Sequence, residues 1–257
     1  MKISDIQVTL IDHMGDDLSV VNAARVSFQK ESEYEKVRER EIYSEDGRSL
    51  GLLYDEELSV KDKKLITYLA KHKHFSPFNH AFISMRIKAP VFVARQLVKH
   101  KFMPWNEVSR RYVDDEPEFY YPDYWRAKAE NVKQGSSDQL FSGEFTFSGI
   151  EFDAKGQPFI KHLTTVDEIV KDVMSEAFDT YMAMINKGVA PEQARMVLPQ
   201  NTMTEWIWSG TLGAYADLLK LRLDPHTQYE SRIVVEKVRD LVMPLFPASL
   251  SALLENK

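Results

Sequence analysis

The stretch Lys99-His100-Lys101-Phe102-Met103-Pro104-Trp105-Asn106-Glu107-Val108-Ser109-Arg110-Arg111-Tyr112 sets four cations against a single carboxylate, Glu107. Upstream, Arg86, Lys88 and Arg95 extend the basic run, in a chain whose formal net charge is −6. The residues leading into it decide the fold class. Ile83, Met85 and Ile87 alternate with Ser84, Arg86 and Lys88 as in a half-buried strand. Pro90 suits the first turn of a helix, in which Val93, Ala94, Leu97 and Val98 form one apolar face. A switch from period two to helical period across one proline predicts a strand feeding a helix, hence an α/β fold. Lys99-His100-Lys101 then ends the helix and Asn106 to Tyr112 forms the loop after it, where backbone amides and cations reach a phosphate together. Arginine offers a planar fork of donors, and Ser109 adds a neutral one. The same residues equally describe a solvated basic face over a helix C-terminus. There is no G-x-x-x-x-G-K-[ST] and no G-x-G-x-x-G, so a nucleotide here needs a different kind of site.

Working outward, Ile6, Val8 and Leu10 predict a strand, and Asp17 is placed to cap a helix carrying Leu18, Val21 and Ala24. Glu31 to Asp46 is dense in charge and predicts a solvated insertion or mobile loop. Ser59 and Asp62 have capping-box spacing before a helix ending near Lys73, with His74-Phe75-Ser76-Pro77 as the loop behind it. Glu118 to Tyr121 reads as a strand, and glycine-rich Gln134 to Gln157 as loops or a small hairpin. The C-terminal third reads as helical. Thr165 and Glu168 open a helix closed at Gly188, Pro191 opens a short one ending before Pro199, Ser209 opens another carrying Leu212, Tyr215 and Leu219, and Asp224-Pro225 starts the last.

Composition excludes several chemistries. With no cysteine, the chain forms no disulfide, no thiolate metal site and no cysteine nucleophile. Acidic overall charge argues against a surface built for nucleic acid. His72, His74 and His80 lie close in sequence, but no zinc spacing completes a ligand set, so no metal site is expected. Met1-Lys2-Ile3-Ser4-Asp5 opens no signal peptide, and no run approaches the ~18 apolar residues of a membrane span. A cytoplasmic protein without membrane partners is the expectation. Arg195, Arg222 and His226 form a second polar group on or beside the C-terminal helices; an arginine flanked by Leu221 and Leu223 also reads as a simple partner for Asp224.

With these residues in view, the chain resembles the flavin-dependent thymidylate synthases. Their signature, R-H-R-x-x-S-x-N-E-x-S-x-R-Y, aligns without a gap on Lys99 to Tyr112, keeping His100, Asn106, Glu107, Ser109, Arg111 and Tyr112. Lys99 and Lys101 keep charge without the bidentate fork, and Pro104 replaces a serine. Ala24 to Phe28, His74 to Phe78, Lys88 to Gln96, Ala194 to Pro199, Leu221-Arg222 and Asp224 to Gln228 agree in family order. The likeness spans most of a single domain, residues 1–257, outside insertions at about 30–58 and 125–160.

The resemblance implies a family-specific α/β fold, an antiparallel or mixed sheet with several packed helices, assembled as a homotetramer with active sites between subunits. It places Gln96, Lys99, Ser109, Arg110 and Arg111 at the phosphate of dUMP, with Glu107 and Val108 beside them, and Arg195 and Arg222 at its ribose and uracil. It assigns FAD to Ser76, Lys99, His100, Lys101, Glu107, Thr211, Gly213, Asp217 and His226, with His74 lining the flavin and folate pocket. Thr211 and Gly213 stand where many relatives have asparagine and arginine. The implied reaction is conversion of dUMP to dTMP with methylenetetrahydrofolate as carbon donor and NADPH-reduced FAD as hydride donor; Arg222 is the expected catalytic group. Hydroxymethylation of dUMP, action on dCMP, and an RNA-binding regulator using the basic segment are the other readings.

Overall fold

The computed structural model describes residues 1–130, 135–137, 139–143, 145, 147–163 and 165–255. Gln134 and parts of the 125–160 insertion (131–134, 138, 144 and 146) lie outside the described residues. The chain opens with β1 (Lys2–Ile3), β2 (Gln7–Met14), α1 (Asp17–Arg25), β3 (Glu35–Tyr43), β4 (Ser49–Glu57) and α2 (Val60–Lys71). It continues through β5 (Phe82–Pro90), α3 (Val91–Leu97), β6 (Trp105–Glu107), β7 (Glu118–Phe119), β8 (Phe147–Phe152), β9 (Pro158–Leu163) and α4 (Val166–Asn186). Last come α5 (Pro191–Ala194), β10 (Met203–Thr211), α6 (Leu212–Arg222), α7 (Tyr229–Val242) and α8 (Pro247–Glu255). No described helix is long and apolar enough to cross a membrane.

The main sheet has four strands in the order β2-β5-β10-β6, each antiparallel to its neighbour. One face carries Ile83, Met85 and Ile87 of β5 beside Trp206 and Trp208 of β10, all buried. The register explains the match: Trp206 pairs with Ile87 and Trp208 with Met85, so large apolar side chains meet across the strands. The other face is polar, with Ser84 Oγ 2.9 Å from Ser209 Oγ and Arg86 3.5 Å from Glu205. Helices α6, α7 and α8 complete the core on the apolar face through Leu212, Tyr215, Leu219, Val234, Val238 and Leu250.

Several expectations need correction. The C-terminal third is not all helical: β10 occupies its centre, and Ser209 lies inside that strand rather than at a helix start. Trp206, Ile207 and Trp208 form an apolar run whose letters do not separate strand from helix; in β10 the two tryptophans are buried on one face and Ile207 is exposed on the other. The segment after α3 is not a plain loop, since Trp105–Glu107 adds β6 to the sheet edge. Helix α3 stops at Leu97, two residues before Lys99, and Pro90 is its N-cap rather than its first residue. Charged Glu31 to Asp46 is not an unstructured insertion: β3 and β4 pair along their length as an exposed antiparallel hairpin. The small hairpin, one of the two readings of the glycine-rich insertion, is present as β8–β9 and runs on to Leu163. Asp224-Pro225 precedes α7 by a turn, and α8 follows as a further helix.

The residue expected to cap α1 does something else. Asp16 caps α1, its carboxylate accepting from Ser19 N at 2.8 Å. Asp17, buried at 4% exposure, turns its carboxylate to the first turn of α8, accepting from Ala248 N at 2.7 Å and Ser249 N at 2.8 Å. A side chain at one end of the chain thus satisfies backbone donors 231 and 232 residues away. We predict that Asp17→Ala lowers the unfolding free energy by about 2–3 kcal/mol, because two amide donors lose a charged acceptor in the interior. Asp16→Ala, at a half-buried cap, costs about 1 kcal/mol. Urea denaturation at constant m-value reads both, and equal losses would contradict the assignment.

Candidate active site

Helix α3 separates two concave regions. Val91, Ala94, Arg95 and Val98, at helical spacing, line a cleft of about 800 Å³. Gln96 points to the other side, into a cavity of about 510 Å³ shared with Arg126, Ser136, Arg222, Thr227 and Gln228. Residues expected to touch one nucleotide are therefore divided: Glu107, Val108, Arg110 and Arg195 line the larger cleft, whereas Gln96 and Arg222 line the smaller cavity.

Arg222 sits at the last residue of α6. Its Nε donates to His100 Nε2 at 3.1 Å and its Nη2 to the Gln96 carbonyl at 3.3 Å. The guanidinium is always a donor, so His100 accepts as a neutral imidazole with its proton on Nδ1. Burial, and then the Arg222 charge, hold the His100 pKa down to about 4. Burial also lowers the pKa of Arg222. With two donors occupied, the remaining N–H groups of the fork are left for the cavity. Gln96 is fixed in turn: its side-chain carbonyl accepts from Ser231 Oγ at 3.0 Å and its amide donates to Gln228, which donates to Glu230 at 3.1 Å.

At the larger cleft, Glu107 is held by two donors that sequence reasoning missed. Thr204 Oγ1 donates to Oε1 at 2.8 Å and Trp105 Nε1 to Oε2 at 3.0 Å, while Trp105 stacks on Trp206 with ring centroids 4.4 Å apart. Pairing of β6 with β10 creates this clamp, so no local signal announces it. Ser109 Oγ accepts from Arg111 Nε at 3.0 Å. Arg110 donates to the Asp115 carbonyl at 3.0 Å, and Arg195 is exposed beside α5 with its Nε on the Glu192 carbonyl. Arg126, from the insertion at about 125–160, is the other missed residue.

Three of the expected cofactor residues, Ser76, Thr211 and Gly213, gather at the N-terminal end of α6. Thr211 caps that helix, accepting from Ala214 N at 3.2 Å, and its hydroxyl donates to Asn79 Oδ1 at 2.8 Å. Asn79 belongs to the 3-10 turn Ser76–His80, so Ser76 lies on the segment that packs there. Gly213 is pressed against the same side chain, where a Cβ would stand 2.6 Å from Asn79 Oδ1. Asp217 follows Gly213 by one helical turn and is exposed. His74 is exposed beside Tyr68, ring centroids 5.9 Å apart. His226 lies beyond the C-terminal end of α6, its backbone N–H on Asp224 at 2.8 Å. Lys99 and Lys101 are exposed at the turn after α3, and among the described residues neither pairs with a carboxylate.

The sequence pattern of the family described as "Thymidylate synthase complementing protein" matches residues 9–248. The chain belongs to the flavin-dependent thymidylate synthase family. It is 34% identical over 249 residues to the flavin-dependent thymidylate synthase of Thermus thermophilus, covering 97% of this chain and 76% of that protein. The enzyme of the same name from Gluconobacter oxydans is 35% identical, with coverages of 96% and 70%. Among solved structures, the UMP/dUMP methylase PolB of Streptomyces cacaoi bound with 5-Br dUMP superposes with a TM-score of 0.70 at 27% identity, covering 98% of this chain and 96% of that one. The family-specific α/β fold expected from the signature is therefore the fold observed.

Within this family member, the His100–Arg222 contact has a consequence for acid stability. An imidazole at 6.5 in the unfolded chain and about 4 in the folded one binds its proton first in the unfolded state. Its contribution is thus intact above pH 6.5 and is lost as pH falls toward 4. We predict that the His100 ring signals show no titration near neutrality in NMR spectra. His100→Gln should shrink the loss of urea midpoint across that acid range. A His100 titration midpoint at an ordinary histidine value would contradict the buried neutral pair.

Proposed function

We propose that the protein reductively methylates dUMP to dTMP, taking carbon from methylenetetrahydrofolate, with FAD as the hydride carrier, NADPH as its reductant, and no cysteine nucleophile. The observation that carries this reading is Arg222, a half-buried guanidinium braced by His100 and Gln96 with the rest of its fork turned to a cavity. Such a fork matches the adjacent N3 and carbonyl oxygen of a uracil. It favours loss of the N3 proton, which pushes electron density toward C5 without a covalent adduct. The chain has no cysteine to form that adduct at C6. A neutral His100 suits the task, because a second cation at this point would repel Arg222 and compete for the anionic ring.

Gln96 on the Arg222 side of α3, and Glu107, Val108, Arg110 and Arg195 in the larger cleft on the other, supply further nucleotide contacts, joined by their sequence neighbours Lys99, Ser109 and Arg111. Because these groups lie on opposite sides of α3, one nucleotide reaches both when the second half comes from another copy of the chain. That division supports a homotetramer with active sites between subunits, working in the cytoplasm on small molecules rather than on nucleic acid or membranes. FAD draws on residues at both ends of α6: exposed Lys99 and Lys101 suit its diphosphate, and His74, Ser76, His100, Glu107, Thr211, Gly213, Asp217 and His226 offer further contacts. When bound in reduced form, the flavin supplies the hydride that completes the methyl group. The name of the PolB relative adds UMP as a second substrate to test beside dUMP.

Purified protein loaded with FAD should be yellow, bleach with NADPH without oxygen, and convert dUMP to dTMP by mass. A protein that cannot be reconstituted with FAD would overturn the reading. Arg222→Ala should lower turnover by at least about 10²-fold, as loss of a charge-stabilising donor does, while dUMP binding persists. Full activity in that variant contradicts the role of Arg222. Co-expressed Arg222→Ala and Arg195→Ala chains should recover about a quarter of wild-type activity, the share of sites built from two intact halves in random assemblies. Mixed oligomers with no recovery would place each site within one subunit.

A further inference from the structure

The amides around Arg222 are ordered by a carboxylate that does not itself line their cavity. Glu230, in the first turn of α7, is buried at 5% exposure. Arg126 Nη2 lies 2.6 Å from its Oε1, and Gln228 Nε2 donates to its Oε2 at 3.1 Å. Arg126 is fixed from its other sides, its Nε donating to Ser136 Oγ at 2.6 Å and its guanidinium covering the Tyr229 ring at 4.5 Å. Gly135 holds Ser136 close: at φ +95°, a Cβ there would stand 3.0 Å from the His226 carbonyl oxygen. Arg126, Ser136 and Gln228 thus separate the Arg222 cavity from a neighbouring one of about 420 Å³, lined by the rings of Phe92, Tyr120 and Trp125.

A carboxylate accepts and never donates, and a guanidinium donates and never accepts. An amide does both, so a neighbour decides which of its ends faces which way. Here Glu230 decides. Both of its oxygens take donors, so Gln228 turns its nitrogen to Glu230 and its oxygen to Gln96. Gln96 must then turn its nitrogen to Gln228 and its oxygen to the Ser231 hydroxyl, which donates at 3.0 Å. One N–H of Gln96 is spent on Gln228. The second is the donor left to its side chain, which lines the cavity beside Arg222. We propose that Glu230 is a positioning residue for dUMP: acting through Gln228, it fixes Gln96 as a hydrogen-bond donor to an oxygen of the nucleotide. The inference rests on the function proposed above. Arg126 completes the device by holding the other oxygen of Glu230, so the insertion at about 125–160 helps to set the polarity of the site. With an amide in place of Glu230, the amide oxygen goes to Arg126 and the amide nitrogen to Gln228. Both glutamines then reverse, and Gln96 turns a lone pair where it now turns an N–H.

Calorimetric titration of FAD-loaded protein with dUMP reads this reversal. Glu230→Gln keeps the shape of the side chain and should raise the Kd for dUMP at least about tenfold, the size of a hydrogen bond to a charged group, with FAD content within about twofold. Adding Gln228→Glu to Glu230→Gln returns an acceptor-only group to the chain, next to Gln96, and turns the Gln96 nitrogen back. That double variant should bind dUMP at least about fivefold tighter than Glu230→Gln alone. A purely structural carboxylate at Glu230 gives no such recovery, because the double variant still lacks it. A Kd within about twofold of wild type in Glu230→Gln overturns the inference, as does a double variant no tighter than the single one. If Glu230→Gln alone does not fold, the double variant should still fold and bind dUMP, and failure in either overturns the inference. When wild-type protein converts dUMP to dTMP, these failures strike the role of Glu230 alone. Wild-type protein that holds FAD but binds no dUMP overturns the functional reading, and this inference with it.

Discussion

Antiparallel pairing of β5 with β10, from Phe82 against Thr211 to Pro90 against Met203, is the constraint on which the rest of the molecule depends. It joins residues more than a hundred positions apart, and its apolar face, Ile87 and Met85 against Trp206 and Trp208, is the floor of the core. Each end of the pair launches a helix. Val91 N bonds to the Thr202 carbonyl where α3 begins, and Leu212 N bonds to the Ala81 carbonyl where α6 begins, at 2.9 Å in both cases. Helix α6 then rises about 1.5 Å per residue back along the sheet, so its last residue, Arg222, arrives at the end of α3 beside Gln96 and His100. Its first turn stays at the Ser76–His80 segment, which sets Ser76, Thr211 and Gly213 one helix length from Arg222.

The electrostatics follow from that arrangement. A guanidinium at a helix C-terminus is favoured by the dipole, and partial burial strengthens whatever it contacts. His100, desolvated and facing this cation, stays neutral until the pH falls toward 4. The lysines beside it, at the turn rather than within the helix, stay exposed and free to meet phosphate. A basic motif that looks uniform as a string of letters is thus sorted by the fold into one neutral ring behind Arg222 and two solvated cations.

Much of this was legible locally. The period-two run from Ile83 to Ile87 and the helical run after Pro90 carry their structures in spacing alone, and Thr165 with Glu168 forms the capping box that its spacing announces. The signature residues and their family order named the fold. Other features escaped because nothing nearby in sequence encodes them. The β10 strand reads as easily as part of a helix until β5 is placed alongside; Asp17 caps a helix at the far end of the chain; Glu107 is clamped by Thr204 only because β6 pairs with β10. The charged run from Glu35 to Glu57 looks unstructured because its hairpin buries almost nothing, so hydrophobic periodicity is silent there.

By itself, the sequence determined the local elements, the absence of thiol chemistry and the set of cations and amides available to an anionic nucleotide. Those depend on side-chain type and short-range spacing. Only the tertiary structure decided which of these groups face one another. It placed Gln96 and Arg222 on one side of α3 and Glu107, Arg110 and Arg195 on the other, and it brought Trp125, Arg126 and Ser136 together with α4 around an aromatic cavity. The physical reason is that helix phase and strand pairing convert neighbours in sequence into opposite faces, and distant residues into hydrogen-bonded partners.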